Sequence, residues 1–220
     1  MLMKYYNKFQ NENKSVISDL FFSTIVKTKT CSNCSTKLFN YEECYLFNFS
    51  LTDVLNSKKL NQNNIQNNAY NENYYNLNDI ITIEDCFYYF ELNKNIDNYC
   101  FRCKNNEIFN QNIKLYLTTK IIIISLNYNN FQQKLEFSEN LNLGIFVEDQ
   151  KINTNNYQLI WLVGYIDIDG NGVNGKFLSY LRDWNDNKWY YYNNEKILVN
   201  NFNDDIKFKC KPFILFYKAN

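Results

Sequence analysis

Four cysteines stand in two short-spaced pairs, Cys31/Cys34 and Cys100/Cys103. A Cys-x-x-Cys turn places both sulfurs on one side of a tight knuckle. Two knuckles facing one another complete the ligand set of a tetrahedral structural Zn2+. The pairs are 65 residues apart, far more than a compact zinc ribbon spans. A metal held by Cys31, Cys34, Cys100 and Cys103 would therefore join two distant segments. The rival chemistry, a redox dithiol, normally opens a helix after a strand in a βαβ unit, and neither pair has that context. Cys44, Cys86 and Cys210 fall on expected strand or helix faces, where packing is the default role. The chain contains no histidine, so no imidazole can activate any of them as a nucleophile.

Length and composition bound what can position such a site. At 220 residues the chain is expected to form a single domain with a sizeable core. It holds 19 Tyr and 18 Phe but 5 Gly and 1 Pro, enough aromatic volume for a large interior. Basic and acidic residues balance at 23 each, which removes any electrostatic argument for a nucleic-acid or anionic-membrane partner. No run of about 18 apolar residues exists, and the first residues lack the apolar stretch of a secretory leader. Seven cysteines without such a leader point to a reducing, intracellular compartment, cytoplasm or nucleus.

The pattern along the chain predicts mostly strands. Ile17, Leu20 and Phe21 make a short helical stripe. β-Branched residues from Phe22 to Thr30 suit a strand running into the first knuckle. Residues 43–51 read as a half-buried strand with Tyr45, Phe47, Phe49 and Leu51 on one face. Residues 56–79 hold ten Asn with no hydrophobic period and are expected to be a disordered insertion. Thr82 and Asp85 form a capping box ahead of a helix bearing Ile83, Cys86, Phe87 and Phe90 at i, i+3, i+4, i+7. Lys120–Leu126 is aliphatic on both faces, as in a central strand buried on both sides. Further strands are expected at 157–166, 176–182, 188–192 and 212–218, with Asp183-Trp-Asn-Asp-Asn187 turning the middle two into a hairpin. Asp167–Gly172 fits the first six positions of a calcium loop, but the twelfth is Leu178 rather than Glu, so a Gly-rich turn suffices. Tyr88, Tyr89, Tyr190, Tyr191 and Tyr192 are expected from composition alone rather than as a contact surface.

The order of these segments resembles the ubiquitin-specific protease family (ubiquitin carboxyl-terminal hydrolases, peptidase C19). A knuckle, a strand, a helix with an acidic start and Tyr99-Cys-Phe-Arg-Cys103 come first. Thr119-Lys-Ile-Ile-Ile-Ile-Ser-Leu-Asn127 resembles the family's central strand, and Phe137-Ser-Glu-Asn-Leu-Asn-Leu143 its Phe-Pro-x-x-Leu-x-Leu. Tyr157-Gln-Leu-Ile-Trp-Leu-Val163 followed by Gly175-Lys-Phe-Leu-Ser-Tyr-Leu-Arg182 is similar to the histidine box. Trp189-Tyr-Tyr-Tyr-Asn-Asn194 and Pro212-Phe-Ile-Leu-Phe-Tyr217 resemble the closing segments. The likeness runs over residues 19–220 and implies an α+β fold: mainly antiparallel sheet, as palm and zinc-knuckle fingers, with a few short helices. This is the papain-like architecture of the family without most of its thumb.

The departures fall on the chemistry. The family's nucleophilic Cys lies well upstream of the first knuckle, and no Cys precedes Cys31 here. The family's Gly-His-Tyr aligns with Gly175-Lys176-Phe177, and its third triad position with Asn193. Histidine serves as a base because it titrates near neutrality; a lysine starts near ~10.4 and needs deep desolvation to be neutral. The resemblance therefore implies a catalytically inactive domain that binds ubiquitin or acts as a scaffold, with a larger complex as a candidate setting. Two alternatives stay open: a fragment of an active deubiquitinase whose Cys-bearing thumb is elsewhere, and a zinc-stapled interaction module that does not bind ubiquitin.

Overall fold

The computed structural model describes residues 15–66, 80–129, 133–148, 155–167, 174–193, 195–207 and 209–220. The first described element is a short helix, α1 (Val16–Phe21), closed by a capping box between Ser15 and Ser18. Two β-hairpins then build the finger sheet. The first joins β1 (Ser23–Cys31) to β2 (Lys37–Cys44); the second joins β5 (Lys94–Cys100) to β6 (Asn105–Leu117). They lie side by side in the order β2-β1-β6-β5 through an antiparallel β1–β6 ladder, which runs from Thr24↔Leu117 to Cys31↔Phe109 with one bulge.

The second sheet forms the body. Its order is β13-β12-β11-β10-β14-β7-β3, with β9 also paired to β10. The strands are β3 (Phe47–Ser50), β7 (Ile121–Asn127), β9 (Asn140–Asn142), β10 (Asn156–Asp167), β11 (Gly175–Arg182), β12 (Trp189–Asn193), β13 (Glu195–Leu198) and β14 (Cys210–Ala219). Every pairing in it is antiparallel except β3–β7. A small parallel pair, β4 (Ile80–Thr82) with β8 (Lys134–Glu136), flanks it. The α+β, mainly antiparallel architecture expected from the sequence is thus what the chain adopts.

Helices α2 (Leu51–Gln66) and α3 (Ile83–Phe90) close the core. The Phe87 ring is fully buried and packs at 5.4–5.5 Å on Phe47, Phe49 and Phe146. Thr82 caps α3 as its sequence predicts: its hydroxyl accepts the Asp85 N–H at 3.1 Å, and Asp85 accepts the Thr82 N–H at 2.9 Å. The same carboxylate receives Lys58 of α2 at 2.7 Å. Two buried phenols are also satisfied: Tyr157 donates to the Thr119 carbonyl at 2.8 Å and Tyr217 to the Ser138 carbonyl at 2.7 Å.

Three expectations need correction. Residues 56–66 belong to α2 rather than to a disordered insertion. Leu51 and Val54 bury the first turn of that helix and Lys58 pins the next to α3, so tertiary contacts carry helix into an Asn-rich stretch. Residues 67–79 of the expected insertion lie outside the described residues. The strand expected over 43–51 is broken: β2 ends at Cys44, Tyr45 is exposed, and Leu51 begins α2. Finally, β7 buries Ile122, Ile124 and Leu126 while its alternate residues are half-buried or exposed, so one face of this interior strand is the better covered.

Gly164 in β10 is required by close approach. A Cβ there would stand 2.0 Å from Cys210 Sγ and 2.9 Å from the Lys211 carbonyl. Gly164→Ala is expected to lower unfolding free energy by about 1–3 kcal/mol in a denaturant titration. Adding Cys210→Ala should recover only part of the loss, because the backbone contact remains. Full stability of Gly164→Ala would contradict this packing.

Candidate metal centre and the triad-equivalent positions

Both Cys-x-x-Cys segments are the turns of the two finger hairpins. Cys31 ends β1 and β2 resumes at Lys37; Cys100 ends β5 and β6 resumes at Asn105. The turns close in the same way. The Ser35 N–H donates to the Cys31 carbonyl at 3.0 Å, and the Lys104 N–H donates to the Cys100 carbonyl at 2.7 Å. The residue after each second cysteine takes the left-handed backbone region, at φ 58° for both Ser35 and Lys104. Because β1 pairs with β6, the two turns arrive at the same end of the sheet. The Ser32 N–H donates to the Ile108 carbonyl at 2.9 Å and the Asn33 amide to Glu107 at 3.2 Å, which ties the first knuckle to the second hairpin.

All four sulfurs lie within 4.8 Å of one another. Cys34 and Cys100 Sγ are 3.5 Å apart, and Cys31 and Cys103 Sγ are 4.0 Å apart. A tetrahedral ion with Zn–S bonds of ~2.3 Å sets sulfurs ~3.8 Å apart, so the donor set fits a metal in both type and spacing. Cys31 and Cys100 are buried, and Leu38, Ile96 and the buried Phe109 pack beneath them. The Thr36 hydroxyl, 3.1 Å from Cys34 Sγ, and then the Thr36 N–H hold the Cys34 thiol down to about 6. Cys103 is pushed up, first through its contact with Cys34 and then by burial. Four sulfurs this close cannot all ionise without a cation among them, and a divalent metal would supply that charge.

The other thiols are in a different state. Burial raises Cys44, raises Cys86 far above the ordinary thiol range and pushes Cys210 up to about 12. These groups stay protonated, and their surroundings are those of packing residues.

Lys176 is exposed on β11, opposite Ile166 of β10. Asn193 ends β12. Ser179 of β11 faces Tyr192, so Asn193 lies one step further, toward the end of β11 that carries Lys176. The two positions that the sequence resemblance sets against the family's triad are thus on neighbouring strands at one end of the sheet. Beside them the exposed Phe177 ring meets Tyr165 at 5.4 Å and Phe213 at 5.0 Å, edge to face. Asp167 ends β10, residues 168–173 lie outside the described residues, and Leu178 faces the core, which leaves no ligand at the twelfth position of the calcium-like loop. The tyrosines singled out by sequence do not form one surface. Tyr88 is exposed and meets Phe146 edge to face, Tyr89 lies under Lys94, Tyr190 donates to Asp186, Tyr191 faces Tyr180 and Tyr192 is exposed. The residue that sequence reasoning missed is Thr36, whose signal was a hydroxyl two positions after a paired cysteine.

The family model described as ubiquitin carboxyl-terminal hydrolase matches residues 2–217. No curated protein matches the sequence. Among solved structures, the chain is similar to one in the SAGA Ubp8/Sgf11/Sus1/Sgf73 DUB module bound to ubiquitin aldehyde, with a TM-score of 0.66 at 10% identity. The match covers 96% of this chain and 44% of that one, so this chain spans less than half the length of its structural relative.

The left-handed residues of the knuckles yield a test. Glycine adopts that region without the side-chain clash that Ser35 and Lys104 bear. Lys104→Gly should be neutral or raise stability by up to about 1 kcal/mol, whereas Lys104→Val should lower it, in chemical denaturation of the metal-loaded protein. A valine variant as stable as the glycine variant would contradict the turn geometry.

Proposed function

Because the chain belongs to the ubiquitin carboxyl-terminal hydrolase family, we propose that it is a catalytically silent member that binds ubiquitin through its fingers and palm, with a structural zinc at the finger tips. The observation that carries the silent reading is Lys176. By its resemblance to the family's Gly-His-Tyr segment, Gly175-Lys176-Phe177 puts a lysine at the histidine position, and the sequence contains no histidine. A cysteine protease needs a group that takes the thiol proton and later returns it to the leaving amine. Lys176 is a solvent-exposed amine, and it is imidazole whose ordinary titration lies near neutrality. Asn193 could orient an imidazole, but there is none to orient.

The ubiquitin reading is supported by family membership and by the structural relative, whose complex contains ubiquitin aldehyde. That relative also belongs to a multi-protein module, which supports a scaffold role in a larger assembly. Cys31, Cys34, Cys100 and Cys103 would hold the zinc. When bound, the ion would neutralise four clustered thiolates and pin the β1–β2 turn to the β5–β6 turn. Free cysteines and a thiolate site are compatible with a reducing, intracellular location. Among the described residues no helix is long and apolar enough to cross a membrane.

Labelled ubiquitin titrated into the protein, with hydrolysis of a ubiquitin C-terminal amide followed on the same sample, separates the readings. Saturable shift perturbation with no hydrolysis is expected. Turnover by this chain would refute the silent reading, and unperturbed ubiquitin spectra up to millimolar concentration would favour a zinc-stapled module that does not bind it. Metal analysis should find one zinc per chain, and chelation should lower the thermal midpoint. Less than half an equivalent, with stability unchanged by chelator, would reject the structural zinc.

A further inference from the structure

Cys34 has a neighbour of its own in the sulfur cluster. Thr36 Oγ1 lies 3.1 Å from Cys34 Sγ, while the Thr36 carbonyl accepts the Cys31 N–H at 3.0 Å. One residue thus touches both cysteines of the first knuckle, through two separate groups. The matching place in the second knuckle is Asn105, whose side chain instead accepts the N–H of Asn106 at 3.0 Å. A metal-bound thiolate has no proton to give, so in a loaded site the hydroxyl must be the donor.

We propose that Thr36 is a positioning residue for the metal, its hydroxyl orienting the Cys34 thiolate and strengthening the hold of the four-cysteine site on its ion. The assignment rests on the zinc reading of the cluster. Ser35 and Thr36 lie between the last cysteine of the turn and β2, so the hydroxyl is placed by the left-handed turn at Ser35 and by the start of the β2 ladder at Lys37. Its position is therefore set before a metal arrives, which lowers the ordering needed on binding.

Valine keeps the shape of threonine and the carbonyl contact to Cys31 but cannot donate to sulfur. In the full 220-residue chain, Thr36→Val should weaken zinc binding about 10- to 100-fold in competition with a chromophoric chelator. It should also shift the sulfur-to-cobalt charge-transfer band of the Co2+-loaded protein, and Thr36→Ser should return both readouts toward wild type. Wild-type uptake of one zinc with Thr36→Val unchanged in affinity and band would overturn this assignment alone. No uptake of zinc or cobalt by the wild type would overturn the zinc reading with it. The pair Thr36→Ala and Thr36→Ser repeats the comparison without the branched methyl should the valine variant fold poorly, and equal affinities there would also overturn it.

Discussion

The antiparallel ladder between β1 and β6 is the contact on which the rest depends. It aligns two hairpins that are far apart in sequence, so that their turns meet at one end of the finger sheet. Each turn carries a Cys-x-x-Cys, and the ladder sets Cys31 beside Phe109 while Cys100 faces Asn105 across its own hairpin. The loop closed by this pairing is long, but closure entropy grows only slowly with length. An insertion between the knuckles therefore costs little once the ladder exists. The same strand β6 leads through Thr118–Lys120 into β7, so the finger sheet and the body sheet are joined by one nearly continuous run of chain.

A metal at the four sulfurs would reinforce the ladder that assembles them. The ladder brings four sulfurs within 4.8 Å, a spacing at which like charges repel strongly without a cation. A divalent ion held there would turn that repulsion into a cross-link between two non-local segments, and its binding free energy would become folding free energy. Thr36 adds a donor on one sulfur while its carbonyl secures the other cysteine of the same turn. The body of the molecule needs no such device, since its core is a continuous cluster of buried aromatic and aliphatic side chains around Phe87, Tyr157 and Tyr217.

Strands β10, β11 and β12 bring positions 176 and 193 to one end of the sheet on neighbouring strands. The residues there are an exposed lysine and an asparagine, where a protease of this family needs an imidazole and its orienting partner. Sheet pairing and core packing do not depend on the identity of exposed strand-end residues, so the fold by itself does not fix the chemistry at that edge.

Much of this was legible in the residues alone. The Cys-x-x-Cys pairs, the Thr82/Asp85 capping box and the alternating strands near the end of the chain are local signals, each contained in a few residues. The absence of histidine was likewise complete in the sequence. What tertiary structure decided is what non-local contacts create. β2, β5 and most of β6 are rich in Asn, Lys and Glu, with weak alternation; hydrogen bonding to neighbouring strands makes them strands. Helix α2 runs into Asn-rich sequence because its first turn is buried and Lys58 reaches Asp85. Local pattern could name the four sulfurs. That they meet, and that Thr36 stands against one of them, follows from the register of β1 against β6, which no short stretch of sequence contains.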